Sequence, residues 1–203
     1  MEYLLFNLGE LAALNDGDTS KPLTGSEMFD REKLVLSPGN AILISDGIIE
    51  KISPEEELIE EFAPDFLNGI SNIVNLIDAN GNAVIPGLVD CHTHLLWTGD
   101  RSNEMKMRQS GLSYQEISTK GGGISRTVKS TRDATKDQLI SLGNERLSQA
   151  SLNGTTTLEA KSGYGLSVDS EIKLLESSSE INYSKCNILP CLLYTSPSPR
   201  DPI

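Results

Sequence analysis

The run TTTLEA at 155–160 sets the strongest limit on how this chain folds. Its β-branched residues favour a strand, and helical signatures flank it on both sides. Before it, Thr135-Lys136-Asp137-Gln138 has the spacing of a capping box, Leu139, Leu142, Leu147 and Ala150 follow at helical intervals, and Gly154 ends the run. After it, the glycine loop KSGYGLS precedes Val168, Ile172 and Leu175, which mark a second helix, and NILP at 187–190 begins another strand. Helix, strand, helix, strand, without hairpin-length connections, is the rhythm of parallel α/β units joined by right-handed crossovers.

The amino-terminal part follows a different pattern. AILISDGIIEKIS (41–53) places Asp46-Gly47 between two Ile-rich runs, and both central residues of a type I′ turn need positive φ. A hairpin is expected there. IVNLIDANGNAVIPG (73–87) repeats the device with Asn80-Gly81. Ser53-Pro54 suits the cap and first position of a short acidic helix over SPEEELIEEF, and residues 15–33 read as a polar loop.

Between these halves, AVIPGLVD leads directly into Cys91-His92-Thr93-His94, which holds both histidines of the 203-residue chain. At the end of a strand, residues two apart share a face, so both imidazoles converge while Thr93 turns away. Two neutral imidazole nitrogens aimed at one point suit a first-row divalent metal. A catalytic zinc takes three or more protein ligands. The chain has no third histidine, and Asp90, Asp100, Glu104 and Glu159 are nearby oxygen donors without a telling spacing. The residues present therefore make part of a site.

Composition excludes some partners. Lys plus Arg number 17 against 29 Asp plus Glu, a net charge of -12, so nucleic acid and anionic membrane surfaces are repelled. Cys91, Cys186 and Cys191 are odd in number and form no CxxC pair, which fits a reducing cytoplasm better than a disulfide framework. The start, MEYLLFNLGELAAL, has Glu2 where a signal peptide needs positive charge, and no run reaches the length of a membrane span. A cytoplasmic location is the expectation.

PGLVDCHTH, after a β-rich segment containing ILISDGIIEKI, resembles the entry to the barrel of the amidohydrolase superfamily. Four further stretches narrow the resemblance: GDRSNEMKMR after the histidines, GLSYQEI (111–117), KGGGISRTVKSTR (120–132) and GTTTLEAKSGYGL (154–166). They are similar to the branch that hydrolyses 4-imidazolone-5-propanoate to N-formimidoyl-L-glutamate in histidine degradation.

The resemblance implies the start of a (β/α)₈ TIM-like barrel, incomplete in this chain, preceded by a small β-sandwich-type domain. Residues 1–85 are then the β-rich domain, 86–190 the first part of the barrel, and 191–203 a non-native tail. It further implies one divalent metal, zinc or iron, on His92 and His94, a small-molecule substrate held by Arg101 and Tyr164, with Tyr114 in another substrate-side motif, and a homodimer. The other metal ligands and the acid/base glutamate of the family lie in later barrel strands, so no catalytic residue is assigned here.

By itself, Arg101 also reads as a surface ion pair with Asp100 or Glu104, and Tyr164 reads first as a packed tyrosine whose hydroxyl finds a backbone partner. Gly121-Gly122-Gly123 lacks the GK[ST] of a phosphate loop and reads as an adaptable loop at the site mouth, while Gly163 and Gly165 let the chain bend around Tyr164. CLLYTSPSPRDPI, with three prolines in seven residues, breaks the α/β rhythm and resembles translated sequencing-adapter DNA. Two rival readings accompany the hydrolase: another cyclic-amide hydrolase or deaminase of the superfamily, and an inactive, aggregating fragment with open strand edges.

Overall fold

Asp46 and Gly47 take φ of 48° and 82°, the paired positive values of a type I′ turn. They join strands β4 (Asn40–Ser45) and β5 (Ile48–Pro54), which pair antiparallel, and the expected hairpin is present. The computed structural model describes residues 1–13, 23–64 and 74–193, and the chain divides into two compact units between Pro86 and Gly87.

In the first unit, β1 (Glu2–Phe6) lies between β4 and β6 (Asn75–Asp78), giving the order β5-β4-β1-β6 with β1 and β6 parallel. Alternation sends Leu4 and Leu43 to one face, where Leu58 of α2 (Glu55–Phe62) joins them in a buried cluster. On the other face, Ile42 packs with Leu8 and Leu11, the latter on β2 (Leu11–Ala12), which pairs antiparallel with β3 (Val35–Leu36).

Three local expectations shift. Asn80 and Gly81 do form a positive-φ turn, but no hairpin follows. Gly9 carries no side chain, and a Cβ there would lie 2.6 Å from the Gly81 carbonyl oxygen. This close approach lets Val84 bridge Leu11 instead, its amide donating to the Glu10 carbonyl at 2.8 Å. The acidic helix begins one residue later than expected, with Pro54 at the cap, while the Ser53 hydroxyl donates to the Glu57 carboxylate. Of the stretch read as a loop, residues 15–22 lie outside the described residues. The remainder holds a 3₁₀ turn (Gly25–Phe29) and the single helical turn α1 (Arg31–Leu34).

The second unit is built on three parallel strands in sequence order: β7 (Leu88–Thr93), β8 (Thr155–Lys161) and β9 (Asn187–Cys191). Between β7 and β8 run α3 (Ser102–Gln109), α4 (Tyr114–Thr119), α5 (Ile124–Asp133) and α6 (Lys136–Leu152), and α7 (Val168–Glu180) crosses from β8 to β9. The capping box at Thr135 forms as expected, its hydroxyl accepting from the Gln138 amide. Beyond β9, the expected tail falls outside the described residues from position 194.

Leu158 and Ala160 of β8 bury with Leu139, Leu147 and Leu174 of the two flanking helices. The alternate residues Thr157 and Glu159 line a shallow hollow of about 290 Å³ on the opposite side of the sheet. Packing on the helical side is close enough that a Cβ on Gly143 of α6 would come 2.6 Å from Ile181 and 2.8 Å from Leu96. The described architecture is thus α/β, with a four-stranded mixed sheet, a two-stranded antiparallel sheet and a three-stranded parallel sheet. Among the described residues no helix is long and apolar enough to cross a membrane.

Leu147 is fully buried. Leu147→Ala is expected to cost roughly 2–5 kcal/mol of unfolding free energy, measured by urea denaturation followed through the emission of Trp97, which lies in the same unit.

Candidate active site

His92 and His94 stand at the carboxyl end of β7, and Thr93 turns its hydroxyl to the other side, donating to the Glu159 carbonyl of β8 at 2.9 Å. The two imidazole centroids are 5.7 Å apart at 78°. Rings that share one tetrahedral ion through nitrogens at about 2.1 Å have centres roughly 5–6 Å apart, so this pair fits a common metal. The Nδ1 atom of His94 is buried and has no hydrogen-bond partner. Such a nitrogen carries a desolvation cost that a donor or a cation would remove. Among the described residues no group of three His, Cys, Asp or Glu side chains converges on one point.

Of the oxygen donors near the pair, Asp90 accepts from the amide of His92 at 3.2 Å, and the others are engaged elsewhere. The Glu159 carboxylate is 2.8 Å from the Lys161 ammonium, and contacts with Cys191 and Lys161 hold it below the usual range. The Asp100 carboxylate accepts from both the hydroxyl and the amide of Ser102.

Tyr164 reaches the site by a glycine-framed loop. Its ring centroid is 5.2 Å from that of His94, in an edge-on arrangement, and 6.2 Å from that of Trp97. Gly163 (φ 133°) lies against the His94 ring, since a Cβ there would sit 3.2 Å from His94 Cε1. Leu166 adopts φ 50°, uncommon for a branched side chain. This conformation is held from two sides. Glu171, in the first turn of α7, accepts from the amides of Gly163, Gly165 and Leu166 at 2.8, 2.8 and 2.7 Å. Arg132 donates to the carbonyls of Gly165 and Leu166. A further clamp comes from Arg146 of α6, which donates to the carbonyls of Leu95 and Trp97 and lies 4.1 Å from the Trp97 ring centre.

Arg101 is in an ion pair, but with Glu104 alone of the two expected partners, and the pair is no ordinary surface contact. Its Nε and Nη2 donate to the two Glu104 oxygens at 2.9 and 2.7 Å. The Glu104 side chain is almost fully buried while that of Arg101 is 35% exposed. The Arg101 hydrogen bond and the amide of Gly123 outweigh burial and pull the Glu104 pKa down to about 2. Arg101 is raised chiefly by Glu104, with smaller contributions from Tyr114 and Tyr164. Tyr114 opens α4 and is half exposed; its hydroxyl approaches the loop at Gly123. The structure brings the rings of His92, His94 and Tyr164 together, and it gathers Arg101, Glu104 and Tyr114 at the Gly123 loop.

The glycine run departs from its expected role as an adaptable loop. A Cβ on Gly122 would lie 2.9 Å from the Ile117 carbonyl and 3.1 Å from a Glu104 oxygen, so small size, not mobility, is what that position supplies. The supporting residues Glu171 and Arg146 carry no motif of their own, while Arg132 ends the KGGGISRTVKSTR stretch. An acid in the first turn of the helix that follows a glycine loop is the one signal that could have found Glu171.

The Glu104 carboxyl contributes stability in its ionised form. That share is complete above its ordinary value of 4.5 and is lost as pH falls toward about 2. The stability difference between the wild type and Glu104→Gln, read by urea unfolding at successive pH values, is expected to stay level down to about pH 4.5 and then close.

Comparison with known proteins finds relatives of this chain. The Amidohydrolase family profile matches residues 75–163. The imidazolonepropionase of Symbiobacterium thermophilum is 44% identical over 179 residues, 87% of this chain and 39% of that protein. That of Brevibacillus brevis is 39% identical over 173 residues, 85% of this chain and 39% of that protein. That of Idiomarina loihiensis reaches 52% over 100 residues, 49% of this chain and 24% of its own. The chain spans about two-fifths of the length of the first two relatives. It is a member of the amidohydrolase superfamily and a relative of the imidazolonepropionases.

Proposed function

We propose that a protein carrying this segment, at the length its relatives have, is a cytoplasmic, homodimeric, metal-dependent hydrolase. It opens the ring of 4-imidazolone-5-propanoate to give N-formimidoyl-L-glutamate. The observation that carries the reading is the buried, partnerless Nδ1 of His94 beside a second imidazole at a strand tip. The parallel strands β7, β8 and β9, with helices on one side, support the start of a (β/α)₈ barrel, and the mixed sheet of the first unit supports a β-sandwich domain before it.

His92 and His94 would hold one divalent ion, zinc or iron, which supplies hydroxide at neutral pH by lowering the pKa of a water toward about 7. Arg101 presents a planar fork to the propionate carboxylate and so fixes which ring carbonyl faces the histidines. Tyr164 packs against His94 and sets the side of the site on which the substrate lies. The acid/base glutamate and the remaining metal ligands belong, in the family, to later barrel strands. The 203-residue chain by itself would then be inactive. Val89, 68% exposed, and Leu189, 51% exposed, would favour its self-association.

A chimera tests this reading: residues 1–190 replace the matching segment of the full-length Symbiobacterium thermophilum relative. The chimera is expected to hydrolyse 4-imidazolone-5-propanoate. His92→Ala and His94→Ala are expected to abolish both activity and bound metal, and Arg101→Ala to lower kcat/KM roughly 10- to 100-fold, the loss of hydrogen bonds to a charged group. A folded, metal-loaded chimera without ring-opening activity, or one whose kcat/KM is indifferent to Arg101→Ala, contradicts the proposal.

A further inference from the structure

The GGG run and the acid three residues after Arg101 form one device. A carboxylate removed from water needs its lone pairs filled, and Glu104, 5% exposed, has three donors: Arg101 Nε, Arg101 Nη2 and the amide of Gly123 at 2.7 Å. The donors come from two sequence motifs, and Gly122 admits the loop only because it has no Cβ to strike Glu104 and Ile117. The guanidinium is thereby gripped along its Nε–Nη2 edge. Nη1 takes part in neither bond, and the side chain remains 35% exposed.

We infer that Glu104 is a positioning residue: it locks the Arg101 fork against the Gly121–Gly123 loop and leaves the Nη1–Nη2 edge for the carboxylate of a ligand. The inference rests on the reading of Arg101 as the group that meets a substrate carboxylate.

Two consequences follow from the charges. Glu104 offsets much of the positive field of Arg101, so long-range attraction for anions in general is small. What remains is shape: a planar fork held in one orientation prefers a planar carboxylate that can take two parallel hydrogen bonds. Without Glu104, the fork gains net charge and loses its fixed orientation. Selectivity, not attraction alone, is the property that Glu104 supplies.

Nuclear magnetic resonance of the ¹⁵N-labelled chimera that carries residues 1–190 tests this, with 3-(imidazol-4-yl)propanoate and its neutral primary amide as probes. In the wild type, the Arg101 Nε–H is expected to exchange slowly with water. The acid is expected to shift the Nη signals and to bind about tenfold more tightly than the amide, the worth of a hydrogen bond between charged groups. In Glu104→Gln, Nε–H exchange should accelerate about tenfold and most of the acid-over-amide preference should vanish. Gly122→Ala, which presses on the same carboxylate from the loop side, should act in the same direction if Glu104→Gln fails to fold. Unchanged Nε–H exchange or unchanged preference in a folded variant overturns the inference. Failure of the parent reading, which also overturns the inference, appears in a different signal, as a wild type whose Arg101 Nε–H exchanges slowly and which yet shows no preference for the acid.

Discussion

An imidazole nitrogen shut away from water with nothing to bond is costly, and a fold keeps one only where something else meets it. His94 Nδ1 is such an atom, and several neighbouring groups of the second unit close on its ring or its strand. Thr93 ties the strand tip to β8, Gly163 and Tyr164 close against the imidazole, and Arg146 fixes the carbonyls just beyond it. Two imidazoles two residues apart share a face at a strand end, which a helix turn would not give them.

Buried or half-buried acids do the local shaping. Glu171 gathers three amides of the Tyr164 loop, and Glu104 joins Arg101 to the amide of Gly123. In each case a carboxylate accepts from backbone groups that the bent chain cannot pair with itself, and the aromatic or cationic side chain is carried in on that frame. Lys173 does the complementary work, donating to the carbonyls of Thr131, Arg132 and Ala134 where α5 ends. Groups that never touch a ligand thus fix the positions of those that would.

Much of this was legible in the sequence because it rests on local rules. Positive φ at Asp46-Gly47, the capping box at Thr135 and the β-branched run from Thr155 depend on neighbours within a few residues. The departures share an opposite cause. The Asn80-Gly81 turn has the right local chemistry, yet the chain after it pairs with Leu11, about seventy residues earlier, because Gly9 allows the approach. Short polar helices such as α3 and α4 lack a long apolar period and were seen only as motifs. In the site, the HxH pair announces itself by spacing, and Arg101, Tyr114 and Tyr164 by resemblance. Glu171 and Arg146 do not, since their partners are backbone atoms that any sequence provides.

X-ray absorption on the chain loaded with one zinc per molecule tests the central claim most directly. The account predicts two imidazole scatterers at about 2.0–2.1 Å, both lost in a His92→Ala, His94→Ala double variant that remains folded. A zinc environment of oxygen alone, or one unchanged in that variant, would contradict it.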